Sequence, residues 1–270
     1  MLSSLLISLS LLVSPTPPPV YRAYAVQYGV LAGFPKRYLM LGADTTERVD
    51  VALMVWVLRG GGRTILVDAG FYRDQFMTQW KPRDYVRPSE AVARLGIKPG
   101  DVTDVIISHS HWDHADGADL FPNAKVWVQK TEYEFYRDPK NQANTGVYPA
   151  DMAMFAGIAK AGRLMLVAGD SQTVAPGVVV YIGGRHTKES QYVSAPIQGG
   201  TVVIASDNAY LYDNLNRKRP IAATWDTLSN LSAQARMFRL ASERRFVIPG
   251  HDPLVMTRFP VVVPGVVEIK

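Results

Sequence analysis

Short apolar runs bounded by glycine, proline and polar turns punctuate this chain, and they read as strands. Val20 to Val30 has strand composition. Val51 to Leu58 and Thr64 to Val67, with Gly60-Gly61-Gly62 between them, read as a hairpin whose second strand ends at Asp68-Ala69-Gly70. Pro88 to Leu95 reads as a helix, with Ser89 as its cap and Gly96 as its stop. Val102 to Ser108 is apolar and β-branched, the composition of a buried strand.

The second half repeats the pattern. Lys125 to Gln129 reads as a strand and Thr131 to Tyr136 as a short helix. Arg137 to Gly162 is less regular, interrupted by Pro139, Gly146 and Pro149, and reads as a cap or insertion. Strands recur at Leu164–Val167, Val178–Ile182 and Thr201–Ala205. Thr227 to Ser242 is amphipathic and helical. Phe246 to Ile248 reads as the last buried strand, leading into Pro249-Gly250-His251. Strands, a helix, more strands and a helix suit two sheets with helices outside, an α/β layered sandwich.

Composition narrows this picture. With 270 residues and 47% apolar content, the chain can bury one sizeable core, and 20% charged residues mark it as globular. The formal charge of +5 shows little clustering beyond Arg217-Lys218-Arg219 and Arg244-Arg245. A continuous basic stripe, which nucleic acid would need, is absent from the sequence. There are no cysteines, which excludes disulfides, thiolate catalysis and Cys-based zinc sites.

The N-terminus divides off. Met1 to Val13 is apolar and Leu-rich, and Ser14 to Pro19 is a proline-rich hinge, so residues 1–19 read as a leader and 20–270 as one domain. The run is too short to span a bilayer as a helix and resembles the apolar core of a secretory signal. The expectation is export to the periplasm or medium, with the cytoplasm as the alternative, and no stable membrane insertion of the mature domain.

The candidate chemistry lies in the histidines. His109-Ser110-His111-Trp112-Asp113-His114 follows the Val102–Ser108 strand directly. Alternate residues of an extended segment point the same way, so His109 and His111 can face one metal. A turn after His111 re-aims Asp113 and His114 toward a second. Three histidines and an aspartate within six residues are costly to bury without a cation. The two remaining histidines, His186 and His251, fall in glycine-containing turns after strands. Asp207 ends the Thr201–Ser206 segment and is a natural bridging carboxylate.

The HxHxDH motif, the later His186, the strand-end Asp207, the final His251 and the Leu66–Gly70 "LVDAG" segment together resemble the metallo-β-lactamase superfamily. The resemblance covers roughly residues 20 to 260 and implies an αββα sandwich with metals at one edge. It implies one metal on His109, His111 and His186, another on Asp113, His114 and His251, and Asp207 between them. Two divalent ions are expected, zinc by default, with iron, cobalt or manganese able to fill the same ligands. The chemistry implied is hydrolysis by a metal-bridging hydroxide, with Asp113 both ligating and passing a proton to the leaving group. Asp68 is expected either to orient a ligand histidine or to cap a turn.

Within the superfamily, Asp207-x-x-Tyr210 and "GHD" at Gly250–Asp252 followed by Arg258-Phe259 resemble the N-acyl homoserine lactonases, in which the tyrosine hydroxyl donates near the scissile carbonyl. That implies a small-molecule ester or lactone substrate and a quorum-quenching role. Met152, Met154 and Phe155, or Phe71 and Phe76 with Trp80, are candidates to line an acyl groove. Trp112 either walls the pocket or packs beneath the loop. Asp207 argues against the true β-lactamases of this fold. The 19 residues after His251 leave no room for the helical domain of a glyoxalase-II-type thiolesterase. Nuclease arms and a flavin domain are likewise missing from the sequence. Another dinuclear ester or phosphodiester hydrolase is the alternative enzyme, and a non-catalytic metal-dependent binding protein is the third reading.

Overall fold

A computed structural model describes residues 17–270; most of the expected leader lies outside the described residues. In chain order the elements are β1 (Arg22–Pro35), β2 (Arg48–Gly60), β3 (Arg63–Val67), α1 (Asp74–Trp80), α2 (Pro88–Ala93), β4 (Asp104–Ile106), α3 (Trp112–Ala115), β5 (Lys125–Gln129), α4 (Lys130–Tyr136), α5 (Pro149–Lys160) and β6 (Leu164–Val167). There follow β7 (Gln172–Ala175), β8 (Val178–Ile182), β9 (Gln191–Ile197), β10 (Gly200–Ser206), α6 (Tyr212–Arg217), α7 (Thr227–Leu240), β11 (Val247–Pro249), α8 (Val255–Arg258), β12 (Val261–Val263) and β13 (Val266–Ile269).

The strands make an eight-stranded sheet, ordered β12-β13-β1-β2-β3-β4-β5-β6, and a five-stranded sheet, ordered β11-β10-β9-β8-β7. Strand β2 shows why the two sheets stack. Its run Val51–Leu58 is buried at every position. Ala52, Met54, Trp56 and Leu58 point into the core between the sheets, where they join Tyr192, Val203 and Ile248. Val51, Leu53, Val55 and Val57 point to the other face, where Phe71, Val92 and Phe155 of the helical layer cover them. A strand covered on both faces has no reason to alternate, hence its continuous apolar sequence. Helix α7 covers the outside of the smaller sheet through Ala233 and Met237. The result is the αββα sandwich that the sequence implies, in a single domain.

Four local expectations need correction. Arg137 to Gly162 is not an irregular insertion: it contains α5, which carries the crossover from β5 to the parallel strand β6. Pro149, read as an interruption, sits at the first turn of that helix, where a missing N–H costs nothing. Ser89 does not cap α2; Arg87 holds that position, with Pro88 starting the helix. Nor is β11 the last strand, because β12 and β13 follow and β13 pairs antiparallel with β1. Finally, β4 is only three residues long, so Ile107 and Ser108 separate its end from His109.

Candidate metal centre

Four strand ends converge at one edge of the sandwich. The β3 end delivers Asp68, the β4 end His109, the β10 end Asp207 and the β11 end His251. The β8–β9 loop adds His186, and α3, starting after His111, brings Asp113 and His114 round by one turn. Two of these exits use backbone that side chains rarely adopt, Asp68 at φ 61° and Ser206 at φ 47°. Left-handed non-glycine residues cost on the order of 1–3 kcal/mol each and persist where the surroundings enforce them. Gly117 shows the same tightness: a Cβ there would stand 2.2 Å from the Ala69 carbonyl oxygen.

All seven residues expected at the centre come together. The candidate ligand atoms of His109, His111, His186 and Asp207 lie within 4.8 Å of one another, and so do those of Asp113, His114 and His251. Asp207 stands between the two groups with one oxygen toward each. Its Oδ2 is 3.3 Å from His186 Nε2 and 3.7 Å from His109 Nε2. Its Oδ1 is 3.0 Å from His251 Nε2 and 3.3 Å from His114 Nε2.

The imidazoles are oriented from behind. His114 Nδ1 donates to Asp68 Oδ2 at 2.8 Å, His186 Nδ1 to the Ala223 carbonyl at 2.6 Å, and His251 Nδ1 to the Ala52 carbonyl at 2.9 Å. His109 Nδ1 is bonded to Ser108 Oγ at 2.9 Å. With Nδ1 engaged, each of these rings turns Nε2 toward the centre, as ligand histidines do. His111 is the exception: its Nδ1 faces inward, 3.0 Å from His186 Nε2. Of the two expectations for Asp68, it is the orienting one that the geometry supports.

The donor set fits cations. His186 Nε2, with its proton on Nδ1, offers a lone pair to a carboxylate and to another imidazole nitrogen, an arrangement that repels itself unless something positive lies between. His109 Nε2 is buried with no hydrogen-bond partner. The ion-pair partners of Asp113 and Asp207 among the described residues are histidines only, with no lysine or arginine. Burial, then the neighbouring histidines, pushes His109 well below the usual imidazole range and His111 down to about 3. These two stay neutral, as ligands must. Burial opposes the charge on Asp207 and Asp113, but His114 and His251 outweigh it and hold both carboxyls low. Burial likewise opposes protonation of His114 and His251, and Asp207 outweighs it, raising both. Left to itself, then, the centre draws protons to two histidines, which is the demand for positive charge that bound metal would meet.

A cleft of about 140 Å³ opens beside the centre. His111, Asp113, Asp207, Tyr210 and His251 line one side, and Leu31, Phe34, Tyr38, Leu39, Val51, Trp80 and Trp112 line the other. Trp112 takes both of its expected roles: it lines the cleft and stacks on Phe76 and Trp80, with ring centroids 4.7 and 5.2 Å apart. Trp80 belongs to the wall as expected. Phe71, Phe76, Met152 and Phe155 belong instead to the core behind it. The 31–39 segment of the wall escaped the sequence reading. Tyr210 packs over the metal-ligand candidates, its ring 5.6 Å from His186 and 5.8 Å from His251. Burial, then Asp207 and Asp113, pushes its hydroxyl well above the usual phenol range, so it remains a donor.

Against known families, the model that matches is that of the metallo-beta-lactamase superfamily, over residues 50–251. The chain belongs to the metallo-beta-lactamase superfamily, and it is a hydrolase of that superfamily. The matched span runs from β2 to the last candidate ligand. Among curated superfamily relatives, N-acyl homoserine lactonase AiiA of Bacillus thuringiensis subsp. kurstaki is 26% identical over 188 residues, 69% of this chain and 70% of the relative. The N-acyl homoserine lactonase AttM of Azorhizobium caulinodans is 29% identical over 173 residues, 60% of this chain and 62% of that one. A Bacillus thuringiensis AiiA variant with N-decanoyl-L-homoserine at its active site superposes with a TM-score of 0.71 at 23% identity, covering 90% of this chain and 98% of that one. AidC, described as a dizinc quorum-quenching lactonase, superposes with a TM-score of 0.68 at 14% identity, covering 93% and 97%. These superpositions show the fold. Among the described residues no helix is long and apolar enough to cross a membrane.

Proposed function

We propose that this hydrolase opens the lactone ring of N-acyl homoserine lactones at a centre of two divalent metal ions, zinc by preference. The observation that carries the reading is the two-sided cleft. One wall is the histidine–carboxylate cluster, the other is aliphatic and aromatic, and no lysine or arginine lines it. A neutral ester with an apolar substituent fits such a cleft. A phosphodiester or another anionic substrate would find no lysine or arginine in that lining, where the nearest guanidinium contact is Arg37 donating to the Tyr38 hydroxyl at 3.2 Å. The relatives named as N-acyl homoserine lactonases support the same choice.

His109, His111 and His186 would hold one ion and Asp113, His114 and His251 the other, with Asp207 shared. When bound, such ions supply Lewis acidity and make water acidic enough to act as hydroxide near neutral pH. The chain's own residues do the rest. The apolar wall seats the acyl chain and keeps bulk water from the ring. The protonated Tyr210 hydroxyl donates to the carbonyl oxygen as it gains charge. Asp113, ionised on the cleft wall, can take a proton from the attacking water and pass it to the ring oxygen as the carbon–oxygen bond breaks. The product is an acyl homoserine with a free carboxylate and a free hydroxyl.

The test is ring opening by metal-quantified protein, using short- and long-chain N-acyl homoserine lactones beside a simple γ-lactone and a phosphodiester. Selective opening of the acyl homoserine lactones is expected. Phosphodiester cleavage without lactone opening would reverse the assignment. No turnover with two metals bound would leave a binding protein. Tyr210→Phe should lower lactone kcat by about 100- to 1,000-fold with metal content unchanged, because it removes one donor to the developing oxyanion. An unaltered rate would leave Tyr210 as a packing residue.

A further inference from the structure

One fully buried carboxylate near the centre has no part in the scheme above. Glu132, in the first turn of α4, is shielded from solvent; two backbone N–H groups donate to it, and the Ser110 and Thr187 hydroxyls stand against it. Its Oε1 accepts from Ser110 N at 2.9 Å and its Oε2 from Glu189 N at 2.8 Å. No lysine, arginine or histidine pairs with it among the described residues. A carboxylate buried on those terms is an expensive group to keep, and a polar group of lower cost could fill the same volume.

The two donors matter because of where they lie. Ser110 sits between His109 and His111, so a bond to its N–H fixes the His109–Ser110 peptide, directly after one imidazole and one residue before the other. Glu189 closes the loop that carries His186. The first loop leaves the larger sheet and the second leaves the smaller one. Just behind them, Gln191 ties the sheets together, its N–H donating to the Ser108 carbonyl and its Nε2 to the Ile107 carbonyl, each at 2.7 Å. Glu132 is the forward tie. Among the described residues its hydrogen bonds reach neither Asp113, His114 nor His251.

We propose that Glu132 is a positioning residue for one half of the centre: it clamps the two loops that bring His109, His111 and His186 together, and leaves the Asp113–His114–His251 half alone. The proposal rests on these residues being metal ligands, so its test must separate the two ideas. Wild-type apoprotein titrated with zinc first establishes whether two ions bind; failure there is failure of the metal reading itself.

Given two sites, each is isolated by removing a ligand of the other. In a His251→Ala background, Glu132→Gln should weaken zinc binding by about 10- to 100-fold, the range for groups that orient ligands. The carboxamide can accept from only one of the two N–H groups and turns its own NH₂ toward the other. In a His186→Ala background the same substitution should leave affinity for the remaining site unchanged. Equal losses in both backgrounds, or none in either, would overturn the proposal. Glu132→Asp, which keeps the charge but withdraws it by one methylene, should give a smaller loss confined to the same background, and it replaces the glutamine variant if that one does not fold. Hydrogen exchange on wild-type apoprotein gives a check free of mutation. The Ser110 and Glu189 amides should both be protected, and rapid exchange at either would show that the clamp is not made.

Discussion

Asp207→Ala is expected to leave the protein folded but unable to hold either metal tightly, and to lower hydrolysis by about a thousandfold or more. The basis is the division of its two oxygens, Oδ2 toward His186 and His109 and Oδ1 toward His251 and His114. Removing a principal electrostatic group from a catalytic centre costs on the order of 10² to 10³ in rate, and here one substitution acts on both halves at once. It also removes the carboxylate that holds His114 and His251 above the usual imidazole range, so both rings lose their main attraction for positive charge. Metal analysis after dialysis, together with kcat, checks it. Two tightly bound ions and full activity would show that Asp207 does not bridge.

Asp68→Ala should be the most damaging change among residues that touch no substrate. The carboxylate accepts from Ser108 N at 2.8 Å, from the Ser108 and Ser206 hydroxyls at 3.0 and 2.9 Å, and from His114 Nδ1 at 2.8 Å. Alanine would leave this group of buried donors without an acceptor. Breaking a buried, charged network of this kind costs about 3–5 kcal/mol, which for a chain of this size is a fall in Tm of roughly 6–20 °C. The strained turn at Ser206 loses its restraint together with His114. Metal affinity should drop by about 10- to 100-fold. A thermal melt of the apoprotein reads the first effect and a zinc titration the second. A melt unchanged within a degree or two would mean that water substitutes for the carboxylate.

The ligand set was legible in the sequence for a physical reason. His109 to His114 pack four candidate donors into a stretch shorter than two helical turns, and the other three candidates follow strands, Asp207 and His251 at their ends and His186 in the loop after β8, all toward a common edge. The hairpin of β2 and β3 was equally plain, because a strand buried on both faces writes an unbroken apolar run. What stayed hidden depends on partners far along the chain. Strand β9, with Gln191, Ser194 and Pro196, looks too polar for a core strand. It is buried because Gln191 Nε2 donates to the Ile107 carbonyl and accepts through Oε1 from Gln129. Glu132 reads as an ordinary surface glutamate on a short helix until the Ser110 and Glu189 amides are seen to end on it. The apolar wall from Leu31 to Leu39 belongs to β1 and the turn after it, and nothing local to that segment says that it will face the histidines. Helix α5 was masked by a proline that in fact begins it.

The strand order has a consequence for how the protein is made. Strand β13 pairs with β1, and the Arg22–Glu268 ion pair on that seam joins residues 246 apart in the chain. A ribosome delivers β1 long before β13. Until then β1 has β2 on one side and an open edge on the other, with Ala23 to Val26 offering unpaired backbone groups to any passing strand. All seven candidate ligands are already present by His251, so the nascent chain could capture metal before its larger sheet is closed. The C-terminal hairpin would then act as a latch, and losing it would leave the centre's residues in place on a sheet prone to aggregate.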